Sequence, residues 1–248
     1  MPAETIDEVI AQLDEIIAWS KANESRLGYF PALYRKVTIN IKEGIAEGFF
    51  DNGPRMERLD VIFANRYLAA IDSYRSNGSP SHCWQFAFVA TGEYWPIVLQ
   101  HLLLGTNAHI NLDLGIAAAR SVEPSELNDL RPDFNKINGV LASLVGDVQS
   151  ELAQIWPLAR VVDGLLGSVD EKLINFSMEA AREVAWAGAE ELSPLSTAEQ
   201  EQRISRMDAH VTTLAGAIRS PGITLGVATK FVRLGEPRSV SRTIEILS

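Results

Sequence analysis

From Glu4 to Asn23 the apolar positions Ile6, Val9, Ile10, Leu13, Ile16 and Ile17 recur every three or four residues, the pattern of a helix buried along one face. The same reading predicts a second helix over Ala32 to Phe49, opened by Pro31 and stopped by Asp51-Asn-Gly-Pro54. A third runs from Arg55 to Arg75 and ends in the turn-forming cluster Ser76-Asn-Gly-Ser-Pro80, with a short aromatic helix over Ser81 to Ala90 after it. Beyond a loop at Ser121 to Arg131, Pro132 opens a long predicted helix from Asp133 to Gly164, with Pro157 as a kink or break. Helices over Asp170 to Glu191, Thr197 to Arg219, Thr224 to Leu234 and Ser239 to Leu247 complete the pattern. The fold class expected is all-α, one bundle-like domain over residues 1–248.

The segment Tyr94 to Arg120 is different. Within it Asn107-Ala-His-Ile-Asn-Leu-Asp-Leu114 alternates polar and apolar residues like a strand. Helix is the better reading, because Asn and Asp disfavour strands, the flanks Ile97 to Leu104 and Ile116 to Ala119 are helical in character, and no partner strand exists elsewhere. Asn107, His109, Asn111 and Asp113 then interrupt an apolar run, and polar groups taken out of water cost a few kcal/mol each unless bonded, paired or metal-bound. The run is therefore a buried network or a site on a central helix.

On a helix, His109 and Asp113 lie four apart, about 6 Å along the axis, within reach of one metal ion or of each other. His101, Gly105, His109 and Asp113 form one stripe, and the missing side chain at Gly105 leaves room for an ion, water or substrate between the histidines. The histidines are about 12 Å apart along the axis, so one of them serves a second site or supports from behind. Asn107 and Asn111 point to a nearly opposite face. Carboxylates from the second and third helices, Glu43, Glu47, Asp51, Glu57 and Asp60, are the available partners, although any one of them is ordinarily a solvent-facing charge.

Three readings follow. The leading one is a metal-assisted hydrolase with His109, Asp113, His101 and Asp51 as ligands to zinc, manganese or iron, and His101, His109, Asp60 and Tyr67 as catalytic candidates. Arg66, Asn107, Asn111 and Trp84 are the substrate-binding candidates. The second is a metal-free lyase, isomerase or cyclase in which His109 moves a proton on an apolar substrate walled by Trp84, Phe86, Phe88, Tyr94 and Trp95. The third is a non-catalytic binding or scaffold protein whose Asn-His-Asn-Asp run is a buried network. Asp133 reads most simply as a helix-start residue.

Composition narrows the partners. With 22 basic and 32 acidic residues, a net charge of −10 argues against long-range attraction to nucleic acid or an anionic membrane and favours neutral, cationic or metal-bridged partners, while the aromatic cluster suits a small-molecule or lipid-like substrate and a homo-oligomer is left open. The apolar runs are too short for a membrane span and no leader pattern opens the chain, so the expected location is cytoplasmic. One cysteine, Cys83, rules out internal disulfides and reads as buried filler. No phosphate loop, dinucleotide fingerprint or Gly-x-Ser-x-Gly elbow occurs, so no nucleotide or organic cofactor is indicated.

The stretch His101 to Gly115, preceded by Gly48-Phe-Phe-Asp51 and Phe63-Ala-Asn-Arg-Tyr67, resembles a family of functionally uncharacterised bacterial and fungal all-helical proteins over roughly the whole chain after the first helix. A fainter similarity is to the helical zinc-dependent phospholipase C and single-strand nuclease group, which also places a His-x-x-x-Asp pair, here His109 and Asp113, on a helix. That resemblance implies zinc ligation, but four histidines are too few for that group's three-zinc centre.

Overall fold

The computed structural model describes residues 1–155 and 178–248, and every regular element among them is helical. Helix α1 (Ile6–Ala22) starts where Thr5 accepts a hydrogen bond from Glu8 N, and it buries the apolar stripe read from its spacing. Helix α2 (Tyr29–Ala46) begins three residues before the expected start, so Pro31 sits inside its first turn, where no backbone donor is needed. Gly48, at a φ of +70°, then turns the chain into α3 (Gly53–Arg75), which Asn52 caps through Arg55 N. Helix α4 (His82–Thr91) follows, and Pro96 keeps the next residues extended until α5 (Val98–Ala108) begins.

The polar run is helical, as expected, but α5 passes without a break into a π-helical turn, His109–Leu114, and then into α6 (Gly115–Ser121). This rod is the centre of the molecule, and every residue from Leu104 to Ala119 is buried. Alternation along Asn107 to Leu114 therefore does not separate a wet face from a dry one. All sides are enclosed, with α2, α3 and α4 against one side and α8 (Met178–Leu192) and α9 (Thr197–Arg219) against the other.

Helix α7 (Leu127–Ile155) starts six residues before the predicted Asp133, so the expected loop shrinks and Pro132 lies within the helix rather than at its entrance. Asp133 is therefore no helix-start residue. Its carboxylate instead accepts from Asp51 N (2.6 Å), Asn52 N (3.0 Å) and Arg55 Nη2 (2.9 Å), tying the turn between α2 and α3 to α7. The expected break at Pro157, the predicted end at Gly164 and the predicted start at Asp170 fall outside the described residues. Two short helices, α10 (Ile223–Gly235) and α11 (Val240–Leu247), end the chain, and α11 packs on α1, α2 and α7. Among the described residues no helix is long and apolar enough to cross a membrane.

Gly115 marks the tightest crossing of the core. A Cβ there would sit 2.6 Å from Ala185 O, a backbone atom of α8. Gly115→Ala is expected to cost about 1–3 kcal/mol by overpacking. Gly139→Ala, on an open face of α7 with nothing within 4 Å, should gain up to about 1 kcal/mol from helix propensity. Urea unfolding of both variants measures this, and equal effects would contradict the close crossing.

Candidate functional site

Asp113 is fully buried, yet both its oxygens are occupied. Arg66 Nε donates to Oδ1 at 2.6 Å and Trp84 Nε1 to Oδ2 at 2.7 Å. Burial alone pushes the carboxyl upward, but Arg66, then His109 and Trp84, outweigh it and hold the group below its usual range, so it is ionised. The substrate-binding candidates Arg66 and Trp84 thus engage Asp113, α3 and α4 each supplying one donor to the central rod.

His109 Nδ1 lies 3.5 Å from Asp113 Oδ2, slightly long for a hydrogen bond. The imidazole is enclosed by aromatic rings. Phe63 stacks on it at 3.6 Å between centroids and 10° between planes, and Tyr34 meets it edge-on at 4.4 Å. Phe30, Trp84 and Tyr67 complete the box at 5.5, 6.0 and 6.2 Å. Desolvation in this box outweighs Asp113 and lowers the pKa of His109, so the ring is neutral near pH 7.

Gly105 does lack a filling side chain, but the gap is taken by Phe30, whose ring would lie 2.5 Å from a Cβ at that position. The expected opening between the two histidines is therefore closed. His101 faces elsewhere, edge-on to Tyr29 at 5.7 Å. Burial, then Arg26 and Arg233, push its pKa down to about 3. It does not join His109, and its one polar neighbour among the described residues is the Pro96 backbone.

The other candidates divide. Asn107 Nδ2 donates to Val211 O at 3.0 Å and Asn111 Nδ2 to Asn107 Oδ1 at 3.0 Å, a chain that ties the rod to α9. Asp51 is exposed and paired with Lys136, away from His109's shell of rings. Glu43 and Glu47 face solvent. Asp60 does not: it is buried, its Oδ2 has no partner, and burial followed by Glu57 raises its pKa to about 7. Tyr67 also turns inward, its hydroxyl unpartnered and its pKa pushed up by burial. Of the expected aromatic wall, Trp84 and Phe88 are buried and stacked, but Tyr94 and Trp95 are half exposed and line no part of this site. Cys83 is buried with its thiol pushed up by desolvation, as filler requires.

Sequence reasoning missed Phe30, Tyr34, Phe63 and Arg182. The first three form the box, and the Tyr34 hydroxyl is buried with the Thr38 side chain beside it. Tyr34, Asp60, Phe63 and Arg182 line a partly open, mainly apolar cavity of about 30 Å3, room for roughly two waters. Tyr34 and Phe63 touch His109 as well as this cavity. Arg182 Nε also lacks a partner, and burial lowers its pKa to about 10.

Asp60 yields a pH test. Between the unfolded carboxyl value of 3.8 and the native value of about 7, the folded protein holds a proton that the unfolded chain releases, so stability falls as pH rises through that window. Asp60→Asn removes this loss. Its stability relative to wild type should rise by a few kcal/mol between about pH 4 and about pH 8, since each tenfold change in proton affinity is worth about 1.4 kcal/mol. Parallel urea curves at the two pH values would contradict a buried, unpaired acid. A second test concerns the clamp: Arg66→Ala strands the Asp113 charge and should cost about 3–5 kcal/mol, whereas Arg66→Ala with Asp113→Ala costs less than the two single losses added.

No curated protein and no solved structure matches the chain. Residues 6–221 match the profile of a family of unknown function, and the chain belongs to that family, DUF5995.

Proposed function

We propose that the protein is a metal-free acid–base enzyme, of lyase, isomerase or cyclase type, in which His109 moves a proton on a small, largely apolar substrate. One observation carries this reading: an ionised Asp113 stands 3.5 Å from Nδ1 of a buried imidazole while polar groups around the box are left unpaired. Asp113 has two donors of its own, but both ring nitrogens of His109, the Tyr67 hydroxyl and Asp60 Oδ2 make no hydrogen bond among the described residues. Buried polar atoms are rarely orphaned, and these gather around one imidazole and the cavity beside it.

In this reading neutral His109 accepts a proton at Nε2 from a carbon next to a carbonyl. Asp113 stabilises the imidazolium that forms, and Arg66 and Trp84 keep Asp113 ionised and in place. The Tyr34 and Tyr67 hydroxyls are the donors available to the carbonyl oxygen as it gains charge. Asp60, about half protonated near neutrality, is the available acid.

The metal-assisted hydrolase reading draws less support from the donor chemistry. Both oxygens of Asp113 are engaged by N–H groups, one of them cationic, and His101 and Asp51 do not share the His109 pocket. Among the described residues no three His, Cys, Asp or Glu side chains converge on one point. The scaffold reading is favoured by the satisfied Asn107–Asn111 chain.

Solvent-exchange catalysis tests the proposal without knowledge of the natural substrate. Small aryl and alkyl ketones incubated with the protein in deuterated water should gain deuterium beside the carbonyl, read by mass spectrometry. His109→Gln should lower that rate by about 10²–10⁴-fold with the fold retained, as judged by circular dichroism. Absence of exchange across the panel, or exchange indifferent to His109→Gln, would favour the scaffold reading.

A further inference from the structure

Helix α10 presents an apolar stripe to solvent. Val227, Phe231 and Leu234 fall at i, i+4 and i+7 and are 50%, 69% and 67% exposed, while Ala228 and Thr229 on the other side are buried. Beside the stripe stand Tyr94 and Trp95, also half exposed and in edge-on contact with each other at 5.1 Å. Cations of α10 reach over both rings, Lys230 Nζ at 5.4 Å from Trp95 and the Arg233 guanidinium at 5.0 Å from Tyr94. The helix is pinned to the body from below: Arg233 Nε donates to Tyr94 O at 2.6 Å, and Glu236 accepts from Val98 N at 2.8 Å. Its apolar stripe is thus held outward by contacts that leave it uncovered among the described residues.

We propose that this face is a docking surface for an anionic lipid bilayer, with Phe231, Leu234, Val227 and Trp95 entering the headgroup boundary. Charge selects this occupant. The chain as a whole is acidic, but helix α10 carries Lys230 and Arg233 and no acidic residue, and Arg238 follows it, whereas Arg219 is taken up by Glu93. Glu236 and Glu245 are paired with Arg233 and Arg242, and neither Lys230 nor Arg238 has an ion pair among the described residues. An apolar stripe with interfacial Trp and Tyr and a local basic rim is the combination that lies in a membrane surface. A two-fold contact with a second copy would instead set these cations near their own equivalents. The matched family region ends at residue 221, so α10 lies beyond it. The proposal does not depend on the His109 reading.

Flotation with vesicles provides the test, using phosphatidylcholine alone and equal parts phosphatidylcholine and phosphatidylserine. The protein should float with the mixed vesicles and less with the neutral ones. Phe231→Ser with Leu234→Ser should weaken binding by about tenfold for each side chain, and Lys230→Glu should remove the preference for the anionic lipid. Phe49→Ser is the control, an aromatic 47% exposed that packs beside Lys136 instead. It should leave binding unchanged. Circular dichroism confirms that each variant is folded. No flotation, flotation lost equally in Phe49→Ser, or a dimer in light scattering that dissolves in the double variant without any vesicle binding would each overturn the proposal.

Discussion

A carboxylate with no access to water has to be compensated where it lies, and the compensation of Asp113 organises the centre of this molecule. Arg66 from α3 and Trp84 from α4 must both reach the same residue of the rod, which fixes how those two helices approach it. A buried pair of this kind adds little net stability compared with apolar packing, because desolvation offsets the attraction. Its effect is specificity: slipping α3 or α4 by one residue along the rod would strand a charge. The π-helical turn over His109–Leu114 belongs to the same arrangement, since widening the helix there changes which side chains face α3 and α4, and such turns recur at functional sites.

From that anchor the chemistry of His109 follows. Aromatic rings on every side remove water and favour the uncharged ring, while Asp113 works against them from a slightly long distance. The balance falls to the neutral form. A neutral imidazole beside an ionised carboxylate is the state that the proposed general-base reading requires. Asp60 has the opposite history: burial without a partner keeps its proton on to about neutral pH, a stability cost that a purely structural residue would not be expected to carry.

Much of the fold was legible because amphipathic helices write their periodicity directly into the chain. Helix α9 begins and ends at the expected residues, and α1, α3, α4, α10 and α11 do so within two residues. The misplaced boundaries have local causes. Pro31 and Pro132 read as helix openers, but proline is equally acceptable further into a first turn or where the missing hydrogen bond is tolerated. The site was legible only in part. The polar interruption of an apolar run singled out His109 and Asp113, but Phe30, Tyr34 and Phe63 look like any core aromatic until three-dimensional packing places them around one imidazole. Gly105 was expected to leave an opening, but Phe30 fills it, and periodicity within one helix cannot say which neighbour will do so. Asp60 defied the usual exposure of acids. Its spacing of three and seven from Phe63 and Tyr67 was the available clue, a shared face with two residues that prove to be buried.

The central claim is that Asp113 holds a neutral imidazole with Nδ1 protonated and Nε2 free. Nitrogen-15 NMR of histidine-labelled protein tests it most directly, and with four histidines the spectrum is simple to assign using His109→Gln. His109 is expected to stay neutral as the Nδ1–H tautomer from about pH 5 to about pH 8, with no titration through the ordinary histidine range. A cationic ring at neutral pH, titration at the usual midpoint, or the Nε2–H tautomer would contradict it.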